Sequence, residues 1–223
     1  MSIAEHINSL RNEIPCNVKV IAVSKTMPVS AILEAYQAGQ RVFGENRVQE
    51  LLQKQPQLPS DIEWHLIGHL QTNKVRSVVP VVSMIQSADS LRLLAEINKE
   101  ALKINKIMDC LLEIRIAREE TKFGLTAEDS VRLLESDEYA VLRNVRIKGL
   151  MGIATFTEDI EQVKNEFRYL AAHFRTIKDR FFKTDPSFTE LSIGMSGDYK
   201  YAIDEGSTMI RIGTLIFGSR SYK

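Results

Sequence analysis

A chain of 223 residues is long enough to bury a full core yet short for two ordinary domains, so a single domain over 1–223 is expected. Lysine plus arginine and aspartate plus glutamate each number 29, and the resulting zero net charge removes the basic excess that would mark nucleic acid or an anionic membrane as a partner. With 44% hydrophobic residues and no run near membrane-spanning length, the composition points to a small ligand.

From the amino end, residues 1–15 alternate polar and apolar side chains without a basic flank, an apolar core or a small-residue cleavage site, so they do not read as a secretory signal. Cys16 and Cys110 form neither a close pair nor a disulfide framework, which suits buried free thiols in a reducing compartment; a cytoplasmic location is expected. Short β-rich runs then recur at 18–24, 41–43, 63–67, 82–85, 107–116, 145–153, 189–193 and Met209–Ile212. Helical patterns separate them. Pro28 opens one that carries Val29, Ile32, Leu33 and Tyr36, and Asp89 caps another with Leu91, Leu94, Ile97 and Ala101. Ile160, Val163, Phe167, Leu170, Phe174, Ile177 and Phe181 form a single apolar stripe, while the polar, Pro-containing stretch 53–61 reads as a loop. Eight such alternations predict an α/β fold, a single (β/α)₈ barrel of the TIM type, with an open doubly wound sheet as the alternative.

The first run places Lys19, Ile21, Val23 and Lys25 on one face, with Lys25 at the carboxyl end, where barrels keep their chemistry. Beside apolar Val23 the neutral amine is favoured, the form that attacks a carbonyl and forms an imine. A surface lysine snorkelling from a strand end is the plainer alternative. Near the third run, His65 and His69 stand four apart, but no glutamate follows His65 and Gly68 interrupts a helical pairing, so no metal is expected; Trp64 reads as core or pocket wall.

After the seventh run, Ser192, Gly194, Met195, Ser196 and Gly197 let backbone N–H groups approach an anion, and after the eighth Gly213 and Thr214 do the same. Barrels commonly hold phosphate with these two loops, although either cluster alone also serves as an ordinary tight turn. Arg211 ends the eighth run, where its cation either keeps a pyridine nitrogen unprotonated or pairs with Asp204 or Glu205. An imine-forming lysine facing a phosphate cradle fits an aldehyde that carries a phosphate.

The segments IAVSK (21–25), FGENRVQE (43–50), WHLIGHLQTNK (64–74), GMSGD (194–198) and GSTMIRIGT (206–214) resemble the pyridoxal phosphate homeostasis protein family, stand-alone relatives of the alanine racemase N-terminal barrel. The resemblance runs in order over nearly the whole chain. It implies a fold type III protein binding pyridoxal 5′-phosphate, with Lys25 as the Schiff-base lysine, Arg211 near the ring nitrogen and Asn46 beside the ring. Ser192, Ser196, Gly213 and Thr214 match the phosphate-binding turns, and Met195 completes the expected cofactor-binding set; no catalytic residue is assigned. Arg115 and Ala117 depart from the asparagine and serine that many relatives carry, which puts those polar contacts in doubt. The stretch 120–124 does match, with Lys122 as a second cation at the rim.

The function this implies is cofactor homeostasis: holding pyridoxal phosphate for intracellular supply without classical catalytic turnover. An amino-acid racemase is the alternative, and a Schiff-base aldolase a third. Racemases of this barrel type add a β-rich domain that supplies a catalytic tyrosine, whereas here the sequence ends soon after the eighth run, at Lys223, so an open pocket suited to exchange is expected. Expected partners are the cofactor and pyridoxal-phosphate-requiring apo-enzymes, with neither nucleic acid nor membrane, and the chain is expected to be a monomer.

Overall fold

Strand alternation sends one row of side chains inward and one outward, and a ring of strands closes when each inward row meets only the others. The computed structural model describes residues 2–117 and 123–218. Eight parallel strands follow chain order around a closed barrel: β1 (Lys19–Val23), β2 (Val42–Glu45), β3 (Glu63–Leu66), β4 (Met84–Ala88), β5 (Met108–Glu113), β6 (Val145–Met151), β7 (Glu190–Met195) and β8 (Met209–Ile212). β1 pairs with β8, Ile21 opposite Arg211 and Ala22 opposite Ile212. This pairing distinguishes the (β/α)₈ barrel from an open sheet, which leaves two unpaired edges.

The helices are α1 (Ile3–Glu13), α2 (Val29–Gln37), α3 (Val48–Lys54), α4 (Val75–Val78), α5 (Leu91–Leu102), α6 (Ala127–Glu135), α7 (Asp137–Ala140), α8 (Ile160–Phe181), α9 (Tyr199–Asp204) and α10 (Thr214–Phe217). Outward strand residues such as Ala22, Phe43 and Leu112 share one continuous core with helix residues such as Leu94, Ile97 and Phe167. Each fully buried leucine or isoleucine there contributes about 1.5–3 kcal/mol. Inside the ring a small separate cluster of Ile21, Met84, Leu111, Met151 and Met209 fills the middle of the barrel. Among the described residues, no helix is long and apolar enough to cross a membrane.

Three local features depart from the sequence pattern. α1 was not marked by its mixed polarity, yet Ser2 and Glu5 form a reciprocal capping box at its start, a signal legible in the sequence. Asp89 is not the cap of α5; Ser90 is, its hydroxyl accepting from the Leu93 amide, and Asp89 instead accepts from Ser90 and meets His69 at 3.1 Å. The stretch 53–61 begins inside α3 and continues as a 3₁₀ turn, Gln55–Gln57, so Lys54 sits on a helix rather than in a loop.

Candidate functional site

At the carboxyl ends of the strands a cleft of about 600 Å³ opens, within the range of small-ligand sites. Lys25, Asn46, Met195, Ser196, Arg211, Gly213 and Thr214 line it, together with apolar Val23, Ile67, Ile153 and Phe156. Closure of the ring accounts for much of this. Because β1 lies beside β8, the end of the Lys25 strand stands next to the corner carrying Gly213 and Thr214. The register of β7 against β8 shifts between Ser192 and Met195, which brings Met195 opposite Arg211.

The β7–α9 and β8–α10 corners touch directly: the Gly213 amide donates to Ser196 Oγ at 3.2 Å. The first corner depends on Gly194, whose φ is +94° and whose added Cβ would lie 2.6 Å from that of Ala202. Asn46 presents a buried Oδ1 that has no hydrogen-bond partner among the described residues. It is packed so closely from behind that a Cβ on Gly68 would lie 2.4 Å from the Asn46 carbonyl oxygen.

Ser192 corrects the sequence expectation. It is fully buried below the cleft rather than on its wall, and its hydroxyl donates to Gln86 Oε1 at 2.7 Å while accepting from Arg211 at 2.6 Å. Inward alternation put it one layer too deep to face a ligand. Arg211, only 4% exposed, also donates to the carbonyls of Ser192 and Gly152, each at 2.8 Å. Its alternative partner Glu205 is occupied by Arg168 at 2.8 Å. Burial lowers the guanidinium pKa to about 10, which leaves it charged at neutral pH. Beyond Gln86 lies His65, 2.8 Å away; burial holds its imidazole down to about 3, so the ring is neutral and its Nδ1 accepts from Gln86 Nε2.

A different assembly stands behind Lys25, and the sequence pattern missed it. Met27 N–H donates to the Ser24 carbonyl at 3.0 Å, closing a tight turn with Lys25 and Thr26 at its centre; Thr26 has φ +66°. Lys54 Nζ donates to Ser24 O at 2.8 Å, Glu45 Oε1 at 2.8 Å and Glu50 Oε1 at 2.6 Å, and Glu50 also accepts from the Thr26 amide. Ser24 Oγ donates to Glu45 at 2.7 Å. The i,i+4 spacing of Glu50 and Lys54 was the available signal.

Arg115 and Ala117 line a neighbouring cavity of about 290 Å³ that shares Ile153 with the main cleft. Glu113 lines the same cavity. Burial, followed by the charge of Asp89, pushes its carboxyl up to about 7, with Arg211 acting in the opposite direction. Lys122 lies outside the described residues. His69 stacks on Phe123 at 3.8 Å, apart from His65 and its Gln86 partner, and no group of three metal-binding side chains occurs among the described residues.

The alanine racemase N-terminal domain family matches residues 1–221. A pyridoxal phosphate homeostasis protein of Aquifex aeolicus is 44% identical over 207 residues, 92% of this chain and 88% of the relative. The human protein of the same name is 37% identical over 92% of this chain and 77% of its own length. PipY of Synechococcus elongatus, solved with pyridoxal phosphate bound, is 38% identical and superposes with a TM-score of 0.88 over 97% of this chain and 100% of PipY. An alanine racemase of Clostridium difficile shares the fold, with a TM-score of 0.76 at 12% identity, over all of this chain and 58% of its own.

Proposed function

Since the chain belongs to the pyridoxal phosphate homeostasis family, built on the alanine racemase N-terminal domain, we propose that it holds pyridoxal 5′-phosphate on Lys25 and serves cofactor supply rather than substrate turnover. One observation carries this reading: a lysine amine, a buried guanidinium and two hydrogen-bonded small-residue corners converge on one cleft. The donor set suits the cofactor. Asn46 Oδ1 is a buried acceptor with no partner among the described residues, and the open space around Gly197 leaves room for a phosphate between the corners.

When bound, pyridoxal phosphate supplies an aldehyde that condenses with an amine and a conjugated ring that withdraws electrons. Lys25 is the amine we assign to that aldehyde. Ser196, Thr214 and the Gly213 amide are assigned to the phosphate, with Met195 packing beside them. Arg211, fixed by oxygens of Ser192 and Gly152, places a permanent cation that disfavours a proton on the ring nitrogen and so weakens the electron sink. Ser192 acts through Arg211.

Among the described residues lining the cleft, Lys25 and Arg211 are the only titratable side chains. Arg211 stays charged, so a second positioned acid or base of the kind racemisation needs is lacking from this set. The relatives' naming as homeostasis proteins points the same way. A cytoplasmic setting agrees with Cys16 and Cys110 being free thiols. The decisive experiment is borohydride reduction of protein incubated with pyridoxal phosphate, followed by peptide mass mapping. A reduced adduct on Lys25, with no alanine racemisation above that of free cofactor, supports the proposal; an unmodified Lys25 peptide or strong racemisation overturns it.

A further inference from the structure

Lys25 occupies the corner of a turn that its neighbour adopts unwillingly. Thr26 is β-branched and sits at φ +66°, a left-handed conformation that costs about 1–2 kcal/mol for a residue with a Cβ and persists only where its surroundings enforce it. Glycine is the usual occupant of that turn position. The enforcement comes from α3. The carbonyl preceding Lys25, that of Ser24, accepts from Lys54 Nζ, and the amide following it, that of Thr26, donates to Glu50. Both tethers end on one ion pair, 2.6 Å across, and Lys54 is further held by buried Glu45.

The Lys54 side chain is 9% exposed. Packing alone would be met by an apolar residue of the same length, without desolvating an ammonium. Lys54 instead holds the Ser24 carbonyl while its ion-pair partner Glu50 holds the Thr26 amide, so the pair clamps the two peptide groups on either side of the cofactor lysine, and hydroxyl Oγ1 of Thr26 adds a third restraint on the Lys25 carbonyl at 2.6 Å. We infer that Lys54 and Glu50 are positioning residues that hold the strained Ser24–Met27 turn so that the Lys25 amine is presented to the cleft. The inference rests on the assignment of Lys25 as the cofactor lysine.

The test compares wild type, Lys54→Met, and Lys54→Met combined with Thr26→Gly. Two quantities are read: the rate at which subsaturating pyridoxal phosphate becomes reducible onto Lys25, and the exchange rate of the Thr26 amide in cofactor-free protein. Lys54→Met should slow trapping by about tenfold or more and speed Thr26 exchange, because the amine loses its fixed orientation. Adding Thr26→Gly should bring trapping back to within about threefold of wild type, since glycine enters the left-handed region without a tether. A purely structural lysine would show no such rescue. Trapping by folded Lys54→Met at the wild-type rate, or slow trapping that Thr26→Gly leaves unchanged, overturns the inference. Should Lys54→Met fail to fold, Glu50→Gln keeps the shape, weakens both tethers and is judged by the same two readouts. Wild type that yields no Lys25 adduct removes the cofactor assignment itself, a result distinct from an adduct that the variants leave untouched.

Discussion

On the β1–β2 rim of the cleft the turn bearing Lys25 is held by full charges, Lys54 lying between Glu45 and Glu50, whereas on the β7–β8 rim Arg211 is held by the oxygens of Ser192 and Gly152 and by a relay through Gln86 to a neutral His65. Around Lys54 two carboxylates lie at bonding distance, with burial raising the pKa of Glu45, so the ammonium's own field is cancelled and the cluster acts through geometry. Around Arg211 the neighbouring titratable groups are pushed towards their neutral forms, His65 down to about 3 and Glu113 up to about 7, so the guanidinium keeps its field for whatever enters the cleft. A buried cation thus has two uses here. Neutralised, it fixes backbone; left without a carboxylate at bonding distance, it keeps its charge for the cleft it lines.

The largest effect expected is at the residue both rims serve. Lys25→Ala should abolish the borohydride-stable adduct and the associated visible band entirely, checked by absorbance and peptide mass; a persisting band would mean that neither rim presents the cofactor amine. Next comes Glu113→Gln, which probes the neutral rim. The folded carboxyl keeps its proton between its ordinary 4.5 and about 7 while the unfolded one loses it, so this group subtracts stability as pH rises through that interval, by about 3 kcal/mol once pH exceeds 7. Glu113→Gln should therefore raise the unfolding free energy at pH 8 by up to that amount and leave it nearly unchanged at pH 4.5, as measured by denaturant titration at both values.

Arg211→Met should then lower cofactor affinity by about 2 kcal/mol, roughly thirtyfold, and move the visible band, because the ring loses its cationic neighbour. An unchanged spectrum and affinity would make the guanidinium structural, and the contrast between the rims would fail. The smallest effect belongs to Ser192→Ala, about 1 kcal/mol of stability, since it removes one hydroxyl from the relay while the Ser192 and Gly152 carbonyls still hold Arg211. A loss of affinity as large as that of Arg211→Met would show that the hydroxyl, not the carbonyls, aims the guanidinium.

Of the site, the residues that end strands or form corners were legible. Lys25, Arg211, Ser196, Gly213 and Thr214 follow from their position after an alternating run, and the structure brings them to one cleft. Ser192 was misplaced by one layer because depth inside a barrel depends on strand tilt and on the register shift before Met195, neither of which alternation records. Lys54 was read as loop because Pro56 and the surrounding glutamines mask the last turn of α3. Arg115 and Ala117 fell beside a neighbouring cavity, since β5 ends at Glu113 before reaching the main cleft.

What the amino-acid sequence by itself determined was the set of elements: eight period-two runs alternating with helical stripes, and a lysine at the carboxyl end of the first. Period is a local property, written in which neighbours along the chain are apolar. What only the tertiary structure decided was company. β1 closing on β8, the contact of Gly213 with Ser196, and the clamp of Lys54 and Glu50 on the two sides of Lys25 join residues from seventeen to nearly two hundred positions apart, and such meetings are set by closure, register and depth in the ring rather than by any local pattern.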